Sequence, residues 1–298
     1  MASEKVWLQA RVQVSGQFAA KLESLMEREG ALAITLTDVA DSPVLEPGVG
    51  ETPLWPEVMV TGLFDGGTPS EPLRLVLAHA PGVASGIQPV FSTLEDRDWE
   101  RAWMDDFGPM KFGDGLWIVP GGQPVLDTKA IVLRLDPGLA FGTGTHPTTR
   151  LCLEWIDARS FNNTMRVIDY GCGSGVLGVA AALKGAERVV CIDHDPQALL
   201  ATRENARRNG VSEKIETVGA KGFVDRAADV VLANILAGTL IELAPLLSSA
   251  LKDGGELVLS GILKQQACDV SGAYKQWLGD MQMKTLEDWV LLSGKAGN

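Results

Sequence analysis

Hydrophobic residues in this chain keep two periods, and the switches between them mark its elements. Val6, Leu8, Ala10, Val12 and Val14 recur at every second position, as on one face of a half-buried strand. Phe18, Leu22, Leu25 and Met26 then follow helical spacing, which predicts a helix over Phe18–Glu29 that stops at Gly30, a residue suited to a helix C-terminus. Further strands are predicted at Ala31–Thr37, Val58–Phe64 and Gln88–Leu94, with a helix at Glu71–Ala80. Asp41–Pro56, rich in Pro, Gly and Glu, reads as a long hairpin loop. The order βαββαβ predicts a small ferredoxin-like α+β domain over residues 1–95, with its helices on one face of an antiparallel sheet. It has no glycine-rich ligand loop, so its expected task is to present a surface to a partner. His79, at the end of a predicted helix, reads as a cap.

Residues 96–113 are expected to form a linker helix, with Trp99 and Trp103 one turn apart. From 114 to 298 the periods alternate. Strands are predicted at Trp117–Val119, Ile131–Leu135, Arg166–Tyr170, Arg188–Ile192, Ala228–Ala233, Glu256–Leu259, Lys284–Leu286 and Trp289–Leu292. Helices are predicted at Thr148–Asp157, Val176–Lys184, Ala198–Asn209, Leu240–Leu251 and Lys264–Leu278. That alternation predicts a doubly wound α/β sheet.

Composition adds exclusions. At 298 residues, 46% hydrophobic and 21% charged, the chain suits two soluble domains. No apolar run approaches the roughly 18 residues of a membrane-spanning helix. The opening MASEKVWLQARVQV lacks the basic-then-apolar order of a signal peptide, so a cytoplasmic protein is expected. A monomer is expected as well. Cys152, Cys172, Cys191 and Cys268 form no CxxC pair; they are expected to be reduced and mostly buried, and no metal is implied. The net charge of −12 is carried by both halves: residues 1–97 hold 6 Lys and Arg against 13 Asp and Glu, and the remainder 20 against 25. Nucleic-acid affinity comes largely from basic residues neutralising phosphates, so direct nucleic-acid binding is not expected and a basic protein partner fits better.

The candidate chemistry lies between Val167 and Asp195. The turn Asp169-Tyr170-Gly171-Cys172-Gly173-Ser174-Gly175 has glycine at alternate positions, letting a strand bend sharply into a helix while a ligand approaches the backbone at Gly171 and Gly173. Asp193 ends the next strand, where a carboxylate can accept both hydroxyls of a ribose. A dinucleotide fingerprint needs glycine where Val176 stands. Asp169, two residues before the first glycine, would repel a pyrophosphate but could orient an ammonium group, directly or through water. A nucleoside bearing an amine fits both acids. Asn234 ends a further predicted strand, at the edge where open α/β sheets bind ligands, and its amide oxygen could accept a substrate N–H and aim the nitrogen lone pair. The segment from Asp136 to Arg150, rich in Gly and Thr, runs into a helix with Pro147 in its first turn and reads as a candidate lid with spare donors.

The pattern D-x-G-x-G-x-G followed by a strand ending in Asp resembles class I S-adenosylmethionine-dependent methyltransferases. Members that act on flat targets carry Asn-Pro-Pro-aromatic where this chain has Asn234-Ile235-Leu236-Ala237, a departure that favours a tetrahedral amine. LDPGLAFGTGTHPTT, VIDYGCGSGVLGVAAALKGA, CIDHDPQAL and DVVLANILAGTL, in that order after the N-terminal domain, closely resemble the bacterial methyltransferases of large-subunit ribosomal protein eleven. The resemblance implies S-adenosyl-L-methionine as cofactor and N-methylation of lysine side chains and the N-terminal α-amine of that ribosomal protein. It implies that Thr149, Gly171, Asp193 and Asn234 hold the cofactor, with Phe141 covering it, and that the N-terminal domain recognises the substrate. Tyr170 and His194 depart from the family pattern, which has Phe and Ile there. An RNA or small-molecule methyltransferase on the same fold is a second reading, and a ribosomal-protein binding or assembly factor a third.

Overall fold

Strand β1 (Val6–Ser15) lies inside the first sheet, hydrogen-bonded on one side to β3 (Glu57–Asp65) and on the other to β4 (Val90–Glu95), both antiparallel. With β2 (Ala33–Asp38) the order is β2-β3-β1-β4. Leu8, Ala10, Val12 and Val14 point to one face and pack with Leu22 and Met26 of α1 (Ala19–Arg28) and Leu73 and Leu77 of α2 (Ser70–Ala78). This is the ferredoxin-like arrangement, built by the period-2 alternation of β1. His79 closes α2, its Nδ1 lying 2.8 Å from Leu75 O.

The computed structural model describes residues 6–39, 55–83, 86–95, 108–120, 123, 130–135, 146–221 and 227–297. The chain divides into two compact units, Met1–Trp103 and Met104–Asn298. Trp99, Trp103 and Phe141 lie outside the described residues, as do most of the expected linker and the expected lid. One part of the linker expectation is corrected: Met110–Phe112 forms strand β5, not helix, and pairs with β6 (Leu116–Val119). With β7 (Ile131–Arg134) these make a three-stranded sheet. Asp157 ties this sheet to the main core, accepting Asp114 N at 2.6 Å, Gly115 N at 3.1 Å and Lys184 Nζ at 3.2 Å.

The second unit is built on a seven-stranded sheet. Its strands are β8 (Arg166–Tyr170), β9 (Arg188–Asp193), β10 (Ile215–Gly219), β11 (Ala228–Asn234), β12 (Leu251–Leu263), β13 (Gln282–Leu286) and β14 (Trp289–Lys295), in the order β10-β9-β8-β11-β12-β14-β13. Every pairing from β10 to β12 is parallel, while β14 runs antiparallel to both of its neighbours. One face packs against α3 (Pro147–Ala158), α4 (Val176–Leu183) and α5 (Pro196–Arg208). The other packs against α6 (Ala237–Glu242), α7 (Ala244–Ser249) and α8 (Ala267–Leu278). The helices change face between β8 and β11, so these adjacent strand ends form the topological switch point, the usual ligand crevice of such sheets.

Three differences from the sequence expectations have local causes. The single helix expected over Leu240–Leu251 is two, because Pro245 has no N–H to continue the first; Leu243 ends one and begins the other. Strand β10 was not expected: its IETVG sequence has little alternation to reveal it at a sheet edge. Strand β12 runs well beyond Glu256–Leu259 at both ends, and its register shifts between Leu259 and Ile262, where Gly261 adopts φ +83°. Cys152, Cys172 and Cys191 are buried and Cys268 is exposed. No described helix is long and apolar enough to cross a membrane.

Candidate active site

The strand β8, the glycine turn and helix α4 fold as one unit. Gly171, Gly173 and Gly175 all have positive φ, at +73°, +53° and +75°. A Cβ added at Gly171 would lie 2.2 Å from Ile235 Cγ2, so glycine is required there both for conformation and for space. The N–H groups of Gly171 and Cys172 donate to Ile192 O, and Gly173 N donates to Asp193 Oδ2 at 2.9 Å. Helix α5 steadies the turn from below: Thr202 Oγ1 donates to Gly173 O at 3.1 Å and Asn205 Nδ2 to Ser174 O at 2.8 Å.

Asp193, at the end of β9, is largely buried. Its Oδ2 takes the Gly173 N–H and its Oδ1 takes Asp195 N at 3.0 Å, and a carboxylate oxygen can accept a second bond beside each. His194 Nδ1 stands 3.4 Å from Asp193 Oδ1, on a ring otherwise exposed to solvent. Asn234, at the end of β11, donates from Nδ2 to Thr149 Oγ1 at 3.3 Å. Its other amide end is the acceptor.

Asp193 and Asn234 line one cavity of about 590 Å³. Gly171, Gly173, Tyr170, His146, Thr148, His194 and Ala220 contribute to its walls, and Ile235, Leu236, Leu243 and Trp289 make much of it apolar. Burial, reinforced by the charge of Asp193, holds the Tyr170 hydroxyl above its ordinary pKa, so it stays protonated. Burial lowers the His146 pKa against the opposing influence of Glu287. His146 Nδ1 caps α3 by accepting Thr148 N at 3.3 Å, so the neutral ring carries its proton on Nε2. The ring nitrogen able to take up a proton is therefore engaged with the helix.

Two of the expected ligand residues are almost fully buried in this structure. Asp169 is 1% exposed and is not on the cavity wall. Its Oδ2 accepts Gly178 N at 2.8 Å, satisfying one of the free donors at the start of α4, while Oδ1 is buried without a partner. Burial pushes its pKa up to about 7, the Gly178 N–H opposes this, and the charge of Asp193 adds to it. Thr149 is likewise 1% exposed, and its neighbour Thr148 lines the cavity. Sequence reasoning missed Trp289, which meets His146 edge to face with ring centroids 4.8 Å apart. The signal was topological. An antiparallel strand begins at the edge where parallel strands end, so the first residue of β14 belongs to the ligand crevice.

A family model described as ribosomal protein L11 methyltransferase (PrmA) matches residues 6–297. A protein of that name from Marinobacter nauticus is 48% identical over 293 residues, covering 97% of this chain and 98% of its own. Another, from Shewanella halifaxensis, is 47% identical over 289 residues with the same coverage, 97% and 98%. The solved structure of a ribosomal protein L11 methylase from Lactobacillus delbrueckii subsp. bulgaricus superposes with a TM-score of 0.58 at 31% identity, covering 64% of this chain and 100% of that one.

Proposed function

Because the chain belongs to the ribosomal protein L11 methyltransferase family, we propose that it transfers methyl groups from S-adenosylmethionine to lysine side chains and the N-terminal amine of ribosomal protein L11. The observation that carries this reading is the meeting of Asp193 and Asn234 on one cavity, at the switch point of the sheet. The cavity volume, about 590 Å³, is within the roughly 300–1,000 Å³ typical of small-molecule sites. Its donor set fits a nucleoside: a carboxylate for the ribose, backbone exposed at Gly171 and Gly173, and an apolar wall.

S-adenosylmethionine supplies a methyl group made electrophilic by its sulfonium. In this chain Asp193 would accept the ribose hydroxyls, and the glycine turn would let the cofactor lie close to the backbone. Asn234 Oδ1 would accept an N–H of the neutral amine and aim its lone pair along the C–S axis. The nitrogen forms the N–C bond, the C–S pair returns to sulfur, and the surplus proton on nitrogen leaves to water. No oxyanion develops, so positioning and water exclusion carry the catalysis. With a reference pKa near 10.4, about one lysine in a thousand is neutral near pH 7.4, a handicap of roughly 4 kcal/mol. Ile235, Leu236 and Trp289 on the cavity wall disfavour the ammonium form and offset part of it. The N-terminal unit would recognise the substrate, and the net charge of −12 suits a basic ribosomal protein.

The test is mass spectrometry of purified L11 after incubation with this protein and S-adenosylmethionine. Additions in multiples of a methyl mass, on lysines or the N-terminus, are expected. Unmodified L11, despite measured cofactor binding, would remove the substrate assignment and leave a methyltransferase with another target.

A further inference from the structure

We infer that Gly261 is a positioning residue for the reaction: by carrying no side chain it lets the peptide that follows Asn234 lie against strand β12, and so sets where Asn234 stands relative to the methyl donor. The inference rests on the methyltransferase reading and adds to it a residue outside the cofactor turn.

Strand β11 ends at Asn234, which pairs with Ser260 of β12. At that level β12 breaks its register with β14: Leu259 faces Leu292 and Ile262 faces Val290, so Ser260 and Gly261 together stand opposite Leu291. Two residues against one make a β-bulge, and Gly261 forms it with φ +83°. A Cβ added at Gly261 would lie 2.8 Å from Ile235 C and 3.1 Å from Ile235 N, and closer still to Ile235 O. These are backbone atoms and cannot rotate aside. The bulge is itself held in place, since fully buried Ser260 has its Oγ 3.2 Å from Thr148 O and 3.3 Å from Val290 O. On its other side Ile235 meets the cofactor turn, where a Cβ at Gly171 would strike its Cγ2. Ile235 is thus lodged between two glycines, its side chain against Gly171 and its peptide against Gly261, and all three line the cavity with Asn234.

Bulges beside active sites re-aim the residues around them. A side chain at position 261 would force the Ile235 peptide to withdraw by roughly 1 Å to regain van der Waals separation. Asn234, one residue back, would move with it, while Asp193 on β9 and Gly173 in the turn would stay. In-line transfer depends on where the amine is held, and a misplacement of roughly 1 Å can cost about a hundredfold in rate. Gly261 therefore acts on turnover through the Ile235 peptide, and the cofactor's nucleoside contacts do not depend on it.

The experiment uses the full chain with Gly261→Ala, Gly261→Asn, Ile235→Ala and the Gly261→Ala/Ile235→Ala double variant. Gly261→Ala should lower kcat about a hundredfold and leave the Kd for S-adenosylmethionine within about threefold. Gly261→Asn separates space from conformation, because asparagine accepts positive φ better than alanine while its Cβ meets the same peptide. Its kcat should stay about as low as that of Gly261→Ala, and it carries the test should Gly261→Ala not fold. Ile235→Ala should restore nothing to Gly261→Ala, since the obstructed atoms belong to the main chain. A further readout needs no protein substrate: sinefungin carries an amine where the cofactor carries its methyl sulfonium. Its preference over S-adenosylhomocysteine should fall about fivefold in both Gly261 variants, the loss expected when one acceptor is displaced. Wild-type kcat in Gly261→Asn, a Kd for S-adenosylmethionine that rises as much as kcat falls, recovery by Ile235→Ala, or an unaltered sinefungin preference would overturn the inference. If the wild type binds cofactor but leaves L11 unmodified, the proposed substrate fails while the sinefungin comparison still decides Gly261. A wild type that binds neither ligand overturns both.

Discussion

Replacing Asp169 with asparagine should stabilise the second unit, and by more as the pH rises. The carboxyl is buried with one oxygen bonded to Gly178 N and the other without a partner, and burial raises its pKa from 3.8 to about 7. Below about pH 4 the group is protonated in both folded and unfolded chains and makes no difference. Between about pH 4 and 7 the folded state keeps a proton that the unfolded state has released, so stability declines as pH rises; above about 7 the loss is complete. A span of about 3 pH units at roughly 1.4 kcal/mol each gives about 4 kcal/mol. Asparagine keeps an acceptor for Gly178 N and carries no charge. The gain from Asp169→Asn should thus be about 3 kcal/mol larger at pH 8 than at pH 5, or roughly 6–12 °C in Tm for a unit of this size. Thermal unfolding of both proteins without cofactor, at matched ionic strength across this range, measures it. A gain independent of pH, or a loss at pH 8, would refute the reasoning, since the ionised carboxylate's bond to Gly178 would then outweigh its burial.

The same carboxylate should make cofactor binding pH-dependent: affinity for cationic S-adenosylmethionine should rise from pH 6 to 8 as Asp169 ionises, more than for S-adenosylhomocysteine, and titration calorimetry should find the rise absent in Asp169→Asn. Gly171→Ala combines φ +73° with a Cβ 2.2 Å from Ile235 Cγ2, so it should cost about 1–2 kcal/mol of stability and at least about tenfold in cofactor affinity, read by thermal unfolding and calorimetry. Asp193→Ala removes the acceptor of Gly173 N and Asp195 N as well as the ribose partner and should raise the Kd for S-adenosylmethionine roughly a hundredfold. Asn234→Ala should instead act mainly on kcat; equal effects of the two variants on Kd would contradict their separate roles.

The legible parts of this molecule were those where one local rule sufficed. Alternation in Val6–Val14 gave a strand with one buried face, and the glycine turn flanked by apolar runs gave β8, α4 and β9 nearly to the residue. Asp193 and Asn234 were readable because both end strands that meet at one sheet edge. The burial of Asp169 and Thr149 was not, because which way a polar side chain turns depends on its neighbours, Gly178 for the one and Asn234 for the other. A strand-end acid can line a cavity or cap a helix with the same motif. Trp289 was hidden for a different reason: a residue read as the start of a terminal strand reveals nothing until the strand's direction is known.

That direction also sets when the site can exist. Strand β14, the last of the described strands to be synthesised, does not add to the rim of the sheet but slots between β12 and β13. Among the described strands β13 has no neighbour besides β14, so until β14 arrives it has nothing to join. Without β14 the cavity lacks Trp289 and Ser260 loses the Val290 carbonyl that helps seat it. A complete cavity therefore depends on the insertion of one seven-residue strand.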